Sequence, residues 1–89
     1  MSTTEEYARG LREAFAARLQ ALRDAAEPEL SQEALAIAAG LDRSYVGMLE
    51  RAERTPSIFV VHLLAGALGR PASDLLPDHP PPVLPTVPE

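Results

Sequence analysis

The chain has 89 residues and a formal net charge of −5, with 13 acidic side chains against 8 arginines and no lysine. A chain of this length has room for one small domain, and because so small a core is marginal we expect two copies to pair as a homodimer. The absence of cysteine excludes disulfides and thiolate metal ligands. The two histidines, His62 and His79, are too far apart to indicate a metal site, and we expect no cofactor.

The N-terminal segment, MSTTEEYARG, is acidic and contains no apolar run. It therefore resembles neither a signal peptide nor a membrane span, and we expect a cytoplasmic protein that does not enter a membrane.

A first helix is predicted from about residue 5 to residue 26. Thr3 or Thr4 can cap its free N–H groups, and Pro28 follows its end. One apolar stripe repeats at helical spacing. It consists of Tyr7, Leu11, Phe15, Leu19 and Leu22, with Ala8, Ala14 and Ala26 beside them.

Residues 31 to 55 predict two short helices joined by a tight turn. Ser31 is a good N-cap for a helix over residues 32 to 39, Gly40 can end it in the left-handed conformation, and Asp42 can cap a second helix that begins with the next residue. This order is a helix-turn-helix. Its second helix, at about residues 43–51, could enter a DNA major groove.

The pattern divides these two helices into an inner and an outer face. The apolar side chains expected in a shared core are Leu35, Ala38, Leu41, Val46 and Leu49. The outward set, and hence the candidate DNA-binding residues, is Gln32, Arg43, Ser44, Tyr45, Gly47 and Met48. Arg51 and Arg54 follow as candidate phosphate contacts. Residues 31 to 56 nevertheless carry four acids and three arginines, so the electrostatic support for DNA binding is weak.

The remaining elements are a predicted fourth helix from about Ser57 to Leu68 and a short last turn over residues 71 to 76. The start of the fourth helix offers more apolar area than one face of a small bundle needs, which favours a dimer interface there. Its residues are Ile58, Phe59, Val60 and Val61. From Pro77 onward the proline content predicts an extended or disordered tail.

Residues 19 to 76 resemble the helix-turn-helix family of Cro and the lambda-type phage repressors, the XRE family. The shared motifs are LSQEALA, an AGL turn, RSYVGMLER, ERTPS and LLAGALGRPASDLL, and DRSYVGMLERAER is also similar to restriction-modification controller proteins. The resemblance implies an all-α, compact bundle of about five helices that binds a pseudo-palindromic operator in double-stranded DNA as a homodimer. We accordingly predict one domain over residues 1–76 and a proline-rich disordered tail over residues 77–89.

The resemblance also suggests roles for single residues. Gln32 matches a glutamine that contacts the DNA backbone. Arg43 could reach guanine or phosphate, or remain a solvated side chain, and Ser44 could donate to either DNA group. Tyr45 could contact sugar and phosphate or cover the bundle edge. Met48 could touch a thymine methyl group or lie at an interface.

Three further positions have alternatives or implied partners. Gly47 either permits close approach of DNA or indicates that a side chain able to contact bases is missing at this position. Glu50 matches a nearly buried glutamate that pairs with an arginine of the first helix, and counting back suggests Arg23 as that partner. Ala52 stands where the family usually has glycine, so the turn there is made without an easy left-handed residue.

Two functions compete at this point. The first is a sequence-specific DNA-binding transcriptional regulator. The second is an acidic helix-turn-helix-fold module that binds another protein rather than DNA. It is motivated by the net charge, the absence of lysine, and the apolar residues Gly47 and Met48 at positions expected to read DNA. An enzyme is not expected, because the sequence contains no pattern of paired catalytic residues and no phosphate-binding glycine loop. The operator, the controlled genes and any effector cannot be predicted.

Overall fold

The computed structural model describes residues 3–83, and within that range the chain forms four α-helices, one 3-10 helix and no strand. The helices are α1 (Thr3–Asp24), α2 (Gln32–Ala38), α3 (Tyr45–Glu50) and α4 (Ile58–Leu68), followed by the 3-10 helix (Ala72–Leu75). The prediction of an all-α bundle is confirmed, and the fifth element is a 3-10 helix. None of these helices is long and apolar enough to cross a membrane.

Capping chemistry sets the ends of α2 and α4. The Ser31 hydroxyl accepts from the N–H of Ala34 at 3.0 Å, and the Ser57 hydroxyl accepts from the N–H of Val60 at 3.1 Å. Each satisfies a backbone donor that the first helical turn leaves unpaired. Gly40 and Gly69 follow the two helices with φ of +75° and +67°, a conformation that costs glycine little. The sequence therefore predicts the first and last residues of both helices to within about one residue.

The regular part of α3 begins at Tyr45, two residues later than predicted. Asp42 causes the delay, because its Oδ1 accepts from both the backbone N–H of Ser44 at 3.0 Å and the Ser44 hydroxyl at 2.6 Å. These bonds form an Asx turn ahead of the helix. The hydrogen bond from the Ser44 hydroxyl lowers the pKa of Asp42, and the bond from the Ser44 backbone N–H adds to that effect.

One apolar core joins all five elements. Its largest fully buried side chains are Leu19, Leu35, Val46, Leu49, Leu64 and Leu75. The prediction that Ala38 faces this core is wrong, since Ala38 is exposed while Ala36 and Ala39 are buried. The buried stripe of α2 runs through Leu35, Ala36 and Ala39, and at 100° per residue its centre lies on the opposite side of Leu35 from Ala38, which therefore falls outside the stripe. Leu41 is half-buried and packs against the core.

The tail begins by running back along α1. Tyr7 Oη donates to the carbonyl oxygen of Pro80 at 2.7 Å, and the rings of Tyr7 and His79 lie 5.1 Å apart. A β-carbon at Gly10 would lie 3.6 Å from the imidazole of His79, an ordinary van der Waals distance, so this contact does not require glycine there. Residues 77–83 have no regular secondary structure. The predicted disorder of residues 84–89 concerns a segment outside the described residues.

Ala52 closes α3 in the left-handed conformation, with φ of +59°. Its N–H donates to the Leu49 carbonyl at 3.0 Å, and the N–H of Glu53 donates to the Met48 carbonyl at 3.0 Å. This is the Schellman pattern that normally ends on glycine. Since the β-carbon of alanine makes this conformation unfavourable, α3 ends at a strained residue.

We expect Ala52→Gly to stabilise the protein. Relief of the left-handed strain exceeds the extra backbone entropy of glycine in the unfolded chain, for a net gain of about 1 kcal/mol. In a domain of this size, that gain raises the melting temperature by about 4–8 °C. Thermal unfolding measures it, with Ala17→Gly on the exposed side of α1 as the control that should lower stability. Equal losses in both variants would show that Ala52 is unstrained.

Candidate nucleic-acid interface

An ion pair between α1 and α3 fixes the second helix of the helix-turn-helix. Arg23 Nε lies 2.7 Å from Glu50 Oε2, and Arg23 Nη2 donates to Glu50 Oε1 at 3.0 Å. The two side chains are 13% and 4% exposed, so the pair is largely shielded from water. Arg23 Nη1 also donates to the Leu30 carbonyl at 3.0 Å. The resemblance implied this pair, and the structure shows it as a two-pronged contact, the strong geometry for arginine and carboxylate.

The pair also dictates the charge state of its arginine. The hydrogen bond with Glu50 raises the pKa of Arg23 above its usual value, against the opposing effect of burial. Arg23 is therefore a permanent cation under α3. Its charge neutralises Glu50 and contributes nothing to an outward positive surface.

Gln32 extends this network to the start of α2. Its Nε2 donates to Glu50 Oε1 at 2.9 Å, so that one carboxylate connects α1, α2 and α3. An amide nitrogen carries two hydrogens, and Gln32 is exposed, so its second hydrogen can be offered to a phosphate oxygen. The network holds that donor in a fixed orientation.

Gly47 lies between two side chains of this surface. A β-carbon there would be 3.1 Å from Arg51 Nη1 and 3.2 Å from Gln32 Oε1, tighter than ordinary contact. The residue is buried because these two exposed side chains cover it, so the prediction that it lies open on the outer face is wrong. Its lack of a side chain leaves space for Gln32 and Arg51 over α3, an alternative that the sequence did not suggest.

Two of the three exposed arginines in residues 31–56 are paired with acids. Arg43 Nη2 lies 2.8 Å from Glu33 Oε1, and Arg51 Nε lies 2.7 Å from Glu53 Oε2. Arg51 Nη2 reaches the other oxygen of Glu53 at 3.4 Å. The hydrogen bond from Arg51 lowers the pKa of Glu53, and the charges of Arg51 and Arg54 lower it further.

Arg54 is exposed and forms no ion pair with any residue in the range 3–83. It lies near enough to Glu53 to lower the pKa of that carboxyl. Of the three arginines predicted to contact DNA, it is therefore the one whose guanidinium is not already neutralised by a carboxylate.

The other candidate residues have intermediate positions. Tyr45 and Met48 are half-buried, and Tyr45 packs against the core, which agrees with the alternative that its ring covers the bundle edge. The Ser44 hydroxyl donates to Asp42, so that its oxygen is left as an acceptor rather than a donor. Ser44 thus has no free hydrogen for a phosphate while that bond persists.

Several of these positions lie on the exposed side of α2 and α3. Gln32 and Arg51 both lie over Gly47, and the Arg43–Glu33 ion pair connects α2 to the turn before α3. The exposed edge of α2 and α3 thus brings together an amide, a serine oxygen and two paired guanidinium groups. These are the groups that contact DNA backbones and guanine edges.

The model of the helix-turn-helix domain family matches residues 14–76. The chain belongs to this family. Helices α2 and α3 are the two helices of its motif, and the resemblance to Cro and lambda-type repressors is confirmed. None of the curated proteins is significantly similar to the chain.

Two solved helix-turn-helix structures are similar to the chain over most of its length. One is the restriction-modification controller protein C.AhdI from Aeromonas hydrophila, with 43% identity, a TM-score of 0.67, and coverage of 73% of this chain and 96% of that one. The other is a hypothetical transcription factor, NHTF, from Neisseria, with 36% identity, a TM-score of 0.69, and coverage of 76% of this chain and 77% of that one.

Glu33 and Glu53 are the members of this helix-turn-helix surface that sequence reasoning missed. Both were counted only as unfavourable charges within the motif. Glu53 follows Arg51 by two residues, and the left-handed turn at Ala52 bends the chain so that the two side chains meet. Glu33 lies ten residues before Arg43, a separation that only the helix-turn-helix fold brings together.

Proposed function

We propose that the protein is a transcriptional regulator that binds a pseudo-palindromic DNA operator as a homodimer, with α3 in the major groove. The observation that carries the proposal is the surface at Gly47, where the side chains of Gln32 and Arg51 both lie over α3 and Gln32 is fixed by its hydrogen bond to Glu50. Family membership supports the same function, as do the two similar structures, a controller protein and a transcription factor.

In this proposal, phosphate and base contacts come from different residues. Gln32, Arg51 and Arg54 contact the DNA backbone, which fixes the register of α3 in the groove. Arg43, at the N-terminal side of α3, reaches a guanine edge or a phosphate. Tyr45 and Met48 add contacts with the atoms of their half-buried side chains that remain exposed.

A homodimer is supported by an apolar surface at the start of α4. Ile58 and Phe59 are 79% and 70% exposed there. Beside them lies a groove of about 340 Å³, whose apolar walls include Leu11, Phe15 and Leu76. An exposed apolar patch can be covered by the same patch of a second copy in a two-fold dimer, which would place two copies of α3 about 34 Å apart in successive major grooves.

The predicted dimer interface needs one correction. Val61 is 7% exposed and lies in the core of its own chain, so the prediction that it is available to a partner is wrong. Val60 is half-buried and packs against the same core. The three-residue spacing of Ile58 and Val61 puts them on neighbouring positions of α4, and the bundle covers only the second. Ile58 and Phe59 are the proposed interface residues.

Selection of bound sequences from a random duplex pool tests the function. We expect wild-type protein to enrich a pseudo-palindrome, and we expect Arg43→Ala to lose preference at one symmetric pair of positions, a discrimination worth about 1–3 kcal/mol per site. Arg70→Ala is the matched control, since Arg70 is also an exposed arginine paired with an acid but lies outside the motif. Failure of the wild-type protein to enrich any sequence would contradict the proposal.

A second candidate function is that of an acidic module that binds another protein. The pairing of Arg43 and Arg51 with carboxylates favours it, because these pairs leave the outer edge of α3 nearly neutral. The same selection separates the two functions. A protein-binding module would recover the sequence distribution of the starting pool at every salt concentration.

A further inference from the structure

The charges of the helix-turn-helix are organised by internal pairing. Among its four acids, Glu50 forms an ion pair with Arg23, and Asp42 accepts hydrogen bonds in the turn before α3. The remaining two, Glu33 and Glu53, lie on the outer surface, and each holds an arginine proposed to contact DNA. Neither carboxylate packs in the core or caps a helix in the described residues. Glu33 also lies in the first turn of α2, where its charge favours the positive end of the helix, whereas Glu53 lies after the end of α3.

The geometry of these two pairs places the carboxylates where a DNA phosphate would bind. Glu53 occupies the Nε and Nη2 edge of the Arg51 guanidinium, the same edge that a phosphate can engage with two hydrogen bonds. Glu33 occupies Nη2 of Arg43. All four side chains are at least half exposed, so an incoming phosphate can replace either carboxylate without moving the backbone.

We propose that Glu33 and Glu53 are specificity-determining residues that compete with DNA phosphates for Arg43 and Arg51 and thereby weaken binding to random DNA more than binding to the operator. The inference rests on the proposed function. It assigns to the two acids a role in DNA discrimination that the family match and the similar structures do not.

The two acids weaken binding to random DNA more than binding to the operator because the two complexes form differently. Non-specific binding draws nearly all its free energy from loosely aligned phosphate attraction, and an arginine already paired with a carboxylate has no net charge to offer at long range. In the registered complex a phosphate oxygen comes within hydrogen-bond distance. Its hydrogen bonds to the arginine then replace those of the carboxylate, so the exchange costs little binding free energy.

Glu53 remains ionised under the conditions in which DNA is bound. The Arg51 hydrogen bond holds the pKa of Glu53 below its usual value, so that this competitor keeps its charge as the solution becomes mildly acidic. The competition from Glu53 is therefore present throughout the neutral range.

Binding of Glu33→Gln and Glu53→Gln to a fixed random duplex and to the selected operator tests the inference, by fluorescence anisotropy over a salt series. We expect each variant to bind random duplex about two- to fivefold more tightly, the ratio that corresponds to an exposed ion pair, and to steepen the salt slope by about 0.9. Operator affinity should rise less, so that the ratio of operator to random affinity falls.

Asp74→Asn is the matched control. It neutralises one acid and releases one arginine, Arg70, from an exposed pair, but it does so outside the helix-turn-helix. If the two variants gain no more affinity for random duplex than this control, or gain equally for both duplexes, the inference is overturned. The measurement on random duplex needs no known operator. If the wild-type protein selects no sequence, the proposed function is contradicted, and the affinities of the two variants for random duplex are still compared with that of the control.

Discussion

Replacement of Glu50 by alanine should lower the free energy of unfolding by about 3 kcal/mol, because removal of one partner leaves a buried charge unpaired. Arg23 would keep its bond to the Leu30 carbonyl and a distant contact with Asp24 at 3.6 Å, but neither replaces the two-pronged contact. The acceptor for Gln32 is lost as well. Urea unfolding followed by circular dichroism measures the change.

A double-mutant cycle separates the pair from the general effect of truncation. Arg23→Leu together with Glu50→Ala should cost less than the sum of the two single variants, since the double variant leaves no charge without its partner. Glu13→Ala, an exposed acid on α1, should change stability by less than about 0.5 kcal/mol. Strict additivity of the two substitutions would show that the pair does not act as a unit.

Phe59→Asp should convert the proposed dimer to a monomer and weaken operator binding by about a hundredfold or more, because linked binding of two half-sites exceeds single-site affinity by that order. Phe59 is 70% exposed, so the substitution does not open a cavity in the core. A charge placed in a self-complementary interface faces its own copy across the two-fold axis. Sedimentation and operator titration measure the two effects.

Ile37→Asp supplies the control for Phe59→Asp. Ile37 is 58% exposed and lies on α2, so that the same change from an apolar to an acidic side chain is made away from α4. We expect this variant to keep the sedimentation coefficient of the wild type. A monomeric wild-type protein, or a Phe59→Asp variant that still sediments as a dimer, would show that α4 is not the interface.

Local chemistry explains why the helix boundaries were predictable. Ser31 and Ser57 each satisfy an N–H three residues on, and Gly40 and Gly69 each adopt a conformation that other residues avoid. Such signals depend on a few adjacent residues. The start of α3 was predicted less well because Asp42 formed a turn with Ser44 rather than beginning the helix directly.

The candidate site was harder to predict because its contacts depend on the arrangement of the helices. Nothing near Gly47 in sequence indicates that Gln32 will lie over it, fifteen residues away. Glu33 and Arg43 meet for the same reason. The Arg23–Glu50 pair was found only through the family resemblance, since the spacing of 27 residues has no local signature.

The bond between Tyr7 and Pro80 has a practical consequence for how the protein is prepared. It brings the first turns of α1 next to the beginning of the tail, and Ala8 and Pro77 line the apolar groove beside Ile58. A shortened chain that ends before Pro77 would therefore lose part of the surface proposed for self-association. The molecular mass in solution is accordingly measured on a chain that keeps residues 77–83.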